Sequence, residues 1–337
     1  MTEMTVLNGV AIEELLTIPM AVEAVEQAYL EKSKGDAALW PMVFHEFDPG
    51  HADLDIKSGD LGGLGFYGLK VVSWFGANPG KGLPALYGTS LLFDLATGAP
   101  RALLNAGPIT DFRTGAAGAI GAKYLARPDA ETLLMAGTGA LAPYLIAATL
   151  YLLPQIKTVY VANPHHPECS AAACEAITPQ VEKLLSGCGG CHAAIAAAPD
   201  LEKAVRHSDV ILTATPAHEP FIKAEWVQPG THIRCVGADM PGKPEAHSAL
   251  FASAKVFGDD TAQCLSVGEC EVPYKTGVFS GHICEIGGVI SGAEAGRTDA
   301  SDITIFDSTG IALQDIATAA ALLQAAQETG KGQTVTL

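Results

Sequence analysis

Positive charge is what this sequence has least of. Lysine and arginine number 20 against 37 aspartates and glutamates, a formal net charge of −17 over 337 residues. Such a bias repels phosphate backbones and anionic lipid, so neither nucleic acid nor a membrane is an expected partner. It also makes any Lys or Arg beside a pocket informative, because an anionic substrate would need local cations. Charged residues of both signs make up only 17% and apolar ones 48%. A chain of this composition buries a sizeable core and is not disordered. The opening MTEMTVLNGVAIEELL has no basic region ahead of an apolar run, so it does not read as a secretory leader. The eight cysteines are accordingly expected to be reduced thiols in the cytoplasm. Cys188-Gly-Gly-Cys191, followed by His192, has the spacing of a zinc or redox pair. Cys264 and Cys270 do not supply a matching second ligand pair, so the stretch reads as a loop of small residues and no metal is expected.

A long charged-free run is present, at residues 133–154, but it is interrupted. A membrane span needs about 20 continuous apolar residues in helix, and here Gly137, Gly139 and Pro143 break the first third. Residues 131–136 read as a buried strand, and 140–153 as a helix. Strand, glycine turn and helix are the context in which a GxGxxA pattern holds a dinucleotide. Here it is Gly137-Thr138-Gly139-Ala140-Leu141-Ala142. Gly137 permits a tight turn, Gly139 lets a diphosphate approach bare main chain, and Ala142 lets the helix pack close on the strand. The helix start then offers free amides and its positive dipole end.

Later elements agree. Residues 157–163 read as a second strand, ending at Asn163 where an NAD site would carry an acid on the ribose. A neutral residue there does not repel a 2′-phosphate, which leans the expected cofactor slightly from NAD to NADP, although no arginine stands nearby. His165 and His166 follow in an Asn-Pro turn. The strand at 209–216 ends on Thr213, Ala214 and Thr215, and another at 231–239 ends on Val236 and Gly237. Such strand ends line a cofactor crevice in doubly wound sheets. Strands at 255–258 and 303–307 complete a parallel α/β pattern. Before residue 125 the chain differs: a helix at 12–34, strand-like runs at 68–73 and 89–94, and an Ala- and Gly-rich connecting helix at 113–126. The last helix, 312–329, is expected to return to this first region.

Several motifs together resemble the ornithine cyclodeaminase/mu-crystallin family. They are GLKVV at 68–72, NPGKGLP at 78–84, LFD at 92–94 with Thr97-Gly98, ITDFRTGAA at 109–117, LARPDA at 125–130, the glycine turn, VGADMPGKPE at 236–245 and FDSTG at 306–310. They span most of the chain in family order. The resemblance implies an α/β fold: a Rossmann dinucleotide-binding domain (126–311) inserted into an α+β substrate and dimerisation domain (1–125 with 312–337). It implies a homodimer, NAD or NADP, and a small amino- or imino-acid substrate. The chemistry implied is hydride transfer at the α-carbon. The reading adopted is a cyclodeaminase of the type that converts ornithine to proline and ammonia. The alternatives are an amino-acid dehydrogenase or imine reductase, and a mu-crystallin-like NADP-dependent ligand-binding protein.

Site residues follow from the same resemblance. Lys70, a charge inside an apolar strand, becomes the catalytic lysine, its pKa lowered by burial. Arg113 bridges substrate carboxylate and cofactor, and Thr114 donates to the diphosphate. Thr309 and Gly310 join the cofactor site. Asp239 handles a distal amine, or is simply a turn residue before Pro241-Gly242. The family's early-strand arginine is missing, since the region reads WPMVFHE at 40–46. Lys57 is the proposed replacement anchor for the carboxylate, with His45 the weaker one.

Overall fold

A computed structural model describes residues 2–238 and 240–337, so Asp239 lies outside the described residues. The chain divides into two compact units, Met1–Arg113 with Ile311–Leu337, and Thr114–Gly310. In chain order, unit 1 begins with β1 (Glu3–Leu7), α1 (Gly9–Leu15), α2 (Ile18–Lys34), β2 (Ala37–Leu39), β3 (Val43–Asp48), β4 (Ala52–Leu61), β5 (Phe66–Phe75), β6 (Leu86–Asp94) and β7 (Pro100–Asn105). Helix α3 (Ala106–Leu125) leads into unit 2. There follow β8 (Thr132–Ala136), α4 (Ala142–Leu152), β9 (Thr158–Ala162), α5 (Ser170–Leu185), β10 (Ala194–Ala197), α6 (Leu201–Arg206), β11 (Val210–Thr213) and β12 (His232–Cys235). Next are β13 (Lys255–Gly258), α7 (Thr261–Ser266), α8 (Glu271–Lys275), β14 (Cys284–Glu285), α9 (Ile286–Ser291) and β15 (Thr304–Asp307). Finally α10 (Ala312–Thr329) and β16 (Gln333–Thr336) return to unit 1.

Where the sequence reads one helix over 12–34, two form. Leu16 is extended, and Thr17 caps α2 by accepting from the Met20 amide at 3.3 Å, with Pro19 in the first turn. Proline is at home there because its missing N–H has no helical partner anyway.

The sheet of unit 1 runs β16-β1-β7-β6-β5-β4-β2, with β3 also on β4, and only β1 and β7 pair in parallel. Helix α10 covers one face: a Cβ on Gly59 or Gly68 would meet Leu313 or Ile316. Lys70, opposite Lys57 on β4 and Ser90 on β6, shares that face, because cross-strand partners point the same way. Burial alternates accordingly, Gly68 and Lys70 buried, Leu69 and Val71 partly exposed. The other face carries Leu54, Ile56, Leu69, Val71, Leu91 and Phe93, all partly exposed.

The sheet of unit 2 is parallel throughout, in the order β10-β9-β8-β11-β12-β15-β13-β14. Strands β11 and β12 are buried along their whole length, as strands sandwiched by helices must be. The chain winds outward from β8 to β10, then crosses back to β11. That reversal puts a topological switch point between β8 and β11, where doubly wound sheets bind their ligands.

The sequence places the first domain boundary after residue 125, whereas the compact units divide after Arg113, inside α3. The reason is a glycine stripe. Added Cβ atoms on Gly115, Gly118 and Gly121 would strike the Tyr144 carbonyl, the Arg234 and Leu145 side chains, and the Phe306 ring. Missing side chains at three-residue spacing let the C-terminal two-thirds of α3 lie close on the sheet of unit 2.

Candidate functional site

In unit 2 the glycine turn sits where β8 meets α4. Gly137 has φ +132°, and a Cβ there would strike the Ala214 carbonyl. The Gly137 amide donates to the Ala162 carbonyl at 2.9 Å, and the Ala214 amide to Ala136 at 3.0 Å. Gly137 is therefore required by the protein itself, to let the ends of β8, β9 and β11 converge. Gly139 is different: a Cβ there would meet no protein atom within 4 Å. The absent side chain leaves open space over the turn, which is the cradle a diphosphate needs. Helix α4 begins after Leu141 with no side-chain cap, but its Ala142 amide donates to the Gly139 carbonyl at 3.1 Å and Pro143 has no N–H, so a diphosphate would meet the main chain of the turn rather than the first two residues of the helix. These residues fit a dinucleotide.

Most of the cofactor residues expected from the sequence lie at the ends of the parallel strands or on the turns that follow them. Thr138 Oγ1 accepts from Asn163 Nδ2 at 3.0 Å, and Asn163 Oδ1 accepts from the His165 and His166 amides at 3.2 and 2.9 Å. Asn163 thus fastens the turn after β9 to the glycine turn, while both histidines are exposed. Ala140 and Leu141 lead into α4. The Val236 amide donates to the Thr213 carbonyl at 3.0 Å, holding the ends of β11 and β12 level. Thr213, Thr215 and Gly237 all hydrogen-bond to the buried Glu245. Asp259, also buried, accepts from the Gly310 amide and the Thr309 hydroxyl, each at 2.9 Å, and shapes the turn after β15. Thr114 is buried, its carbonyl accepting from Arg234 at 3.3 Å.

In unit 1 the charges gather on the face covered by α10. Lys70, 3% exposed, donates to Asp315 Oδ1 at 3.0 Å and to Thr110 Oγ1 at 3.4 Å. Arg113 Nη1 donates to Gln314 Oε1 at 2.8 Å, and its Nε stands 3.2 Å from Asp315 Oδ1 as an ion pair rather than an aligned hydrogen bond. Gln314 in turn donates to the Tyr29 hydroxyl at 2.8 Å. One carboxylate therefore serves two cations. Burial lowers the Lys70 pKa to about 8, with Arg113 and Lys57 pushing the same way and Asp315 opposing. Burial would raise the Asp315 carboxyl, but Arg113 and Lys70 hold it below its ordinary value. An ammonium with a pKa near 8 exchanges its proton at ordinary pH, as an acid–base group must.

Lys57 is directly opposite Lys70 in the sheet and belongs to this cluster. His45 does not. It pairs with Leu54, which puts it on the opposite face, exposed and edge-on to Phe47 at 5.0 Å. Register alone separates these two anchor candidates, since one residue along a strand reverses the face. Three residues escaped the sequence reading: Asp315, Gln314 and Asp55. Asp55 lies two residues before Lys57 on the same face, its Oδ1 is buried without a hydrogen-bond partner, and burial raises its pKa. The signal for Asp315 was available: an acid within the apolar helix ALQDIATAAALL is as costly as Lys70 in its strand. Among the described residues no group of three or more His, Cys, Asp or Glu is placed to hold a metal, and no helix is long and apolar enough to cross a membrane.

Known proteins match across the full length. An archaeal alanine dehydrogenase, solved as a dimer with bound NAD, is 35% identical with TM-score 0.86, covering 99% of each chain. The iminosuccinate reductase of Paracoccus denitrificans in complex with NAD+ is 30% identical with TM-score 0.89, covering 99% of this chain and 100% of its own. The Thermococcus litoralis Δ1-pyrroline-2-carboxylate reductase, in complex with NADH and L-proline, is 31% identical with TM-score 0.86, covering 98% and 100%. The model of the ornithine cyclodeaminase/mu-crystallin family matches residues 2–330. With a doubly wound unit carrying an open glycine turn and a second unit carrying a buried lysine, the chain belongs to the ornithine cyclodeaminase/mu-crystallin family.

Proposed function

We propose that the protein is an NAD(P)-dependent enzyme that interconverts a small α-amino acid and its α-imine. The observation that carries this reading is Lys70, buried, with a pKa near 8, and held between Asp315 and Thr110. When bound, the nicotinamide supplies or accepts hydride at the α-carbon. Lys70 moves the accompanying proton from Nζ. Asp315 keeps the lysine and arginine oriented and balances their charge. Arg113 and Lys57 offer the cations that a substrate carboxylate needs in a chain of net charge −17. Thr138, Gly139, Ala140 and Leu141 take the diphosphate. The neutral Asn163 supports use of NADP as well as NAD, with a slight lean to NADP.

A cyclodeaminase would need, in addition, a carboxylate for the substrate's distal amine. Asp239 was the sequence candidate and lies outside the described residues. The buried, unpartnered Oδ1 of Asp55 supports this second reading from within the described residues.

A screen of NAD(H) and NADP(H) against ornithine, lysine, alanine and cyclic imines tests both. NAD(P)H produced or consumed in step with substrate supports the dehydrogenase or reductase. Ammonia released without net NAD(P)H supports cyclodeamination. Absence of any rate, with dinucleotide still bound, would leave a ligand-binding protein.

The reading extends to a homodimer working in the cytoplasm. It rests on the eight free cysteines and on the uncovered sheet face of unit 1. There the Tyr67 and Phe93 rings stack at 4.9 Å, with Trp40 6.0 Å from Tyr67. A second copy would bury these rows. Val71→Lys at the middle of the face should shift the mass in light scattering from dimer to monomer.

A further inference from the structure

Glu245 lies in the motif VGADMPGKPE, where the sequence reading gave it no role. It is 0% exposed, and its side chain accepts four hydrogen bonds from the ends of two strands. Oε2 accepts from Thr213 Oγ1 at 2.6 Å and from the Gly237 amide at 2.8 Å. Oε1 accepts from the Thr215 amide at 2.7 Å and from Thr215 Oγ1 at 2.8 Å. Its backbone is clamped in turn. Glu269 Oε1 accepts from the Glu245 and Ala246 amides, while the Glu245 carbonyl accepts from Phe221 and Ile222. Gly237 is shaped to this arrangement, since a Cβ there would meet the Glu245 carboxyl at 2.6 Å. A glutamate this deep with no cation on it among the described residues is costly, and a fold that only needed these strands packed would do better with an apolar side chain.

The sheet order says which half of a dinucleotide these ends would meet. β8, β9 and β10 lie on one side of the switch point and β11 and β12 on the other. The adenosine half belongs over the first group, so the nicotinamide half falls over the second. We infer that Glu245 is a positioning residue for the nicotinamide end: it holds the turns after β11 and β12 at the spacing the ring and its ribose require. This rests on the dinucleotide reading above.

Glu245→Gln keeps the shape but replaces one carboxylate oxygen with an NH2 group. Whichever way the amide turns, one backbone N–H, that of Thr215 or Gly237, then faces a donor. The binding of NADH or NADPH, followed by nicotinamide fluorescence, is compared with that of ADP-ribose, which lacks the nicotinamide end. The inference expects Kd for the whole dinucleotide to rise about tenfold, one backbone hydrogen bond being lost, with ADP-ribose unaffected. Equal weakening of both would show that Glu245 merely supports the unit, and no change in either would overturn the role outright. If the Gln variant does not fold, Thr213→Val, which removes one hydroxyl donor from a fully buried site, carries the test. A smaller loss, again confined to the whole dinucleotide, is expected, and none would overturn the inference. A wild-type protein that binds neither NADH, NADPH nor ADP-ribose would instead sink the dinucleotide reading itself.

Discussion

The roles proposed for Lys70 in unit 1 and Gly139 in unit 2 rest on opposite devices. Lys70 is a charged side chain set in a packed layer with one shared counter-ion. At Gly139 a side chain is missing where the protein has nothing to put there. The first kind of site depends on a network, so neighbouring residues titrate and move together. The second depends on main-chain shape, and its side chains are interchangeable until one intrudes. Unit 2 has its own buried charges, Glu245 and Asp259, but they bind main chain and hydroxyls and hold turns in place. The charges of unit 1 bind one another.

Substitutions should separate these two designs. Lys70→Ala should lower turnover by about 10²- to 10⁴-fold, the usual reach of a proton-transfer group, with Kd for dinucleotide unchanged in a fluorescence titration. A parallel loss of cofactor binding would dissolve the contrast. Asp315→Asn leaves Lys70 and Arg113 without their shared anion and should cost about 3–5 kcal/mol in denaturant unfolding. Gly139→Val should weaken dinucleotide binding by about a hundredfold, through loss of one or two amide contacts to a charged group, with thermal stability unchanged. Gly137→Val, whose side chain meets the Ala214 carbonyl, should instead lower stability as well. The smallest effect is on pH dependence. With the Lys70 pKa at about 8, imine reduction should slow as pH rises through 8, because the proton donor is lost. Amine oxidation should quicken over the same range. Asp315 is the group that raises the Lys70 pKa, so Asp315→Asn should move both inflections to lower pH. An inflection that stays put would assign the titration to another group.

The parallel sheet was legible because buried strands and helices alternate with glycine turns, and each turn has local chemistry. Gly137, Gly139 and the strand ends at Thr213 and Gly237 all came from such short stretches. The site of unit 1 was legible only in part, because it is assembled from β4, β5, α3 and α10, which sequence spacing cannot join. Lys70 declared itself by its apolar neighbours. Asp315 did the same 245 residues later, but nothing local linked the two. His45 and Lys57 could not be ranked without a register, and the register put them on opposite faces. The division of α3 is hidden in its Ala- and Gly-rich composition, and only the three-residue spacing of Gly115, Gly118 and Gly121 marks the close-packed edge.

That long separation between Lys70 and Asp315 bears on how the chain matures. A ribosome delivers Lys70 and Arg113 well before Asp315, and all of unit 2 emerges in between. Until α10 arrives, the emerging sheet holds ammonium and guanidinium groups without Asp315, the carboxylate that Lys70 and Arg113 share, and it has every reason to stay loose. Unit 2, continuous in sequence, is under no such delay. A nascent chain arrested near residue 310 should therefore protect its parallel sheet from protease while the earlier strands are still cut. The last helix to be synthesised would then act as the latch that turns a half-made layer into a working one.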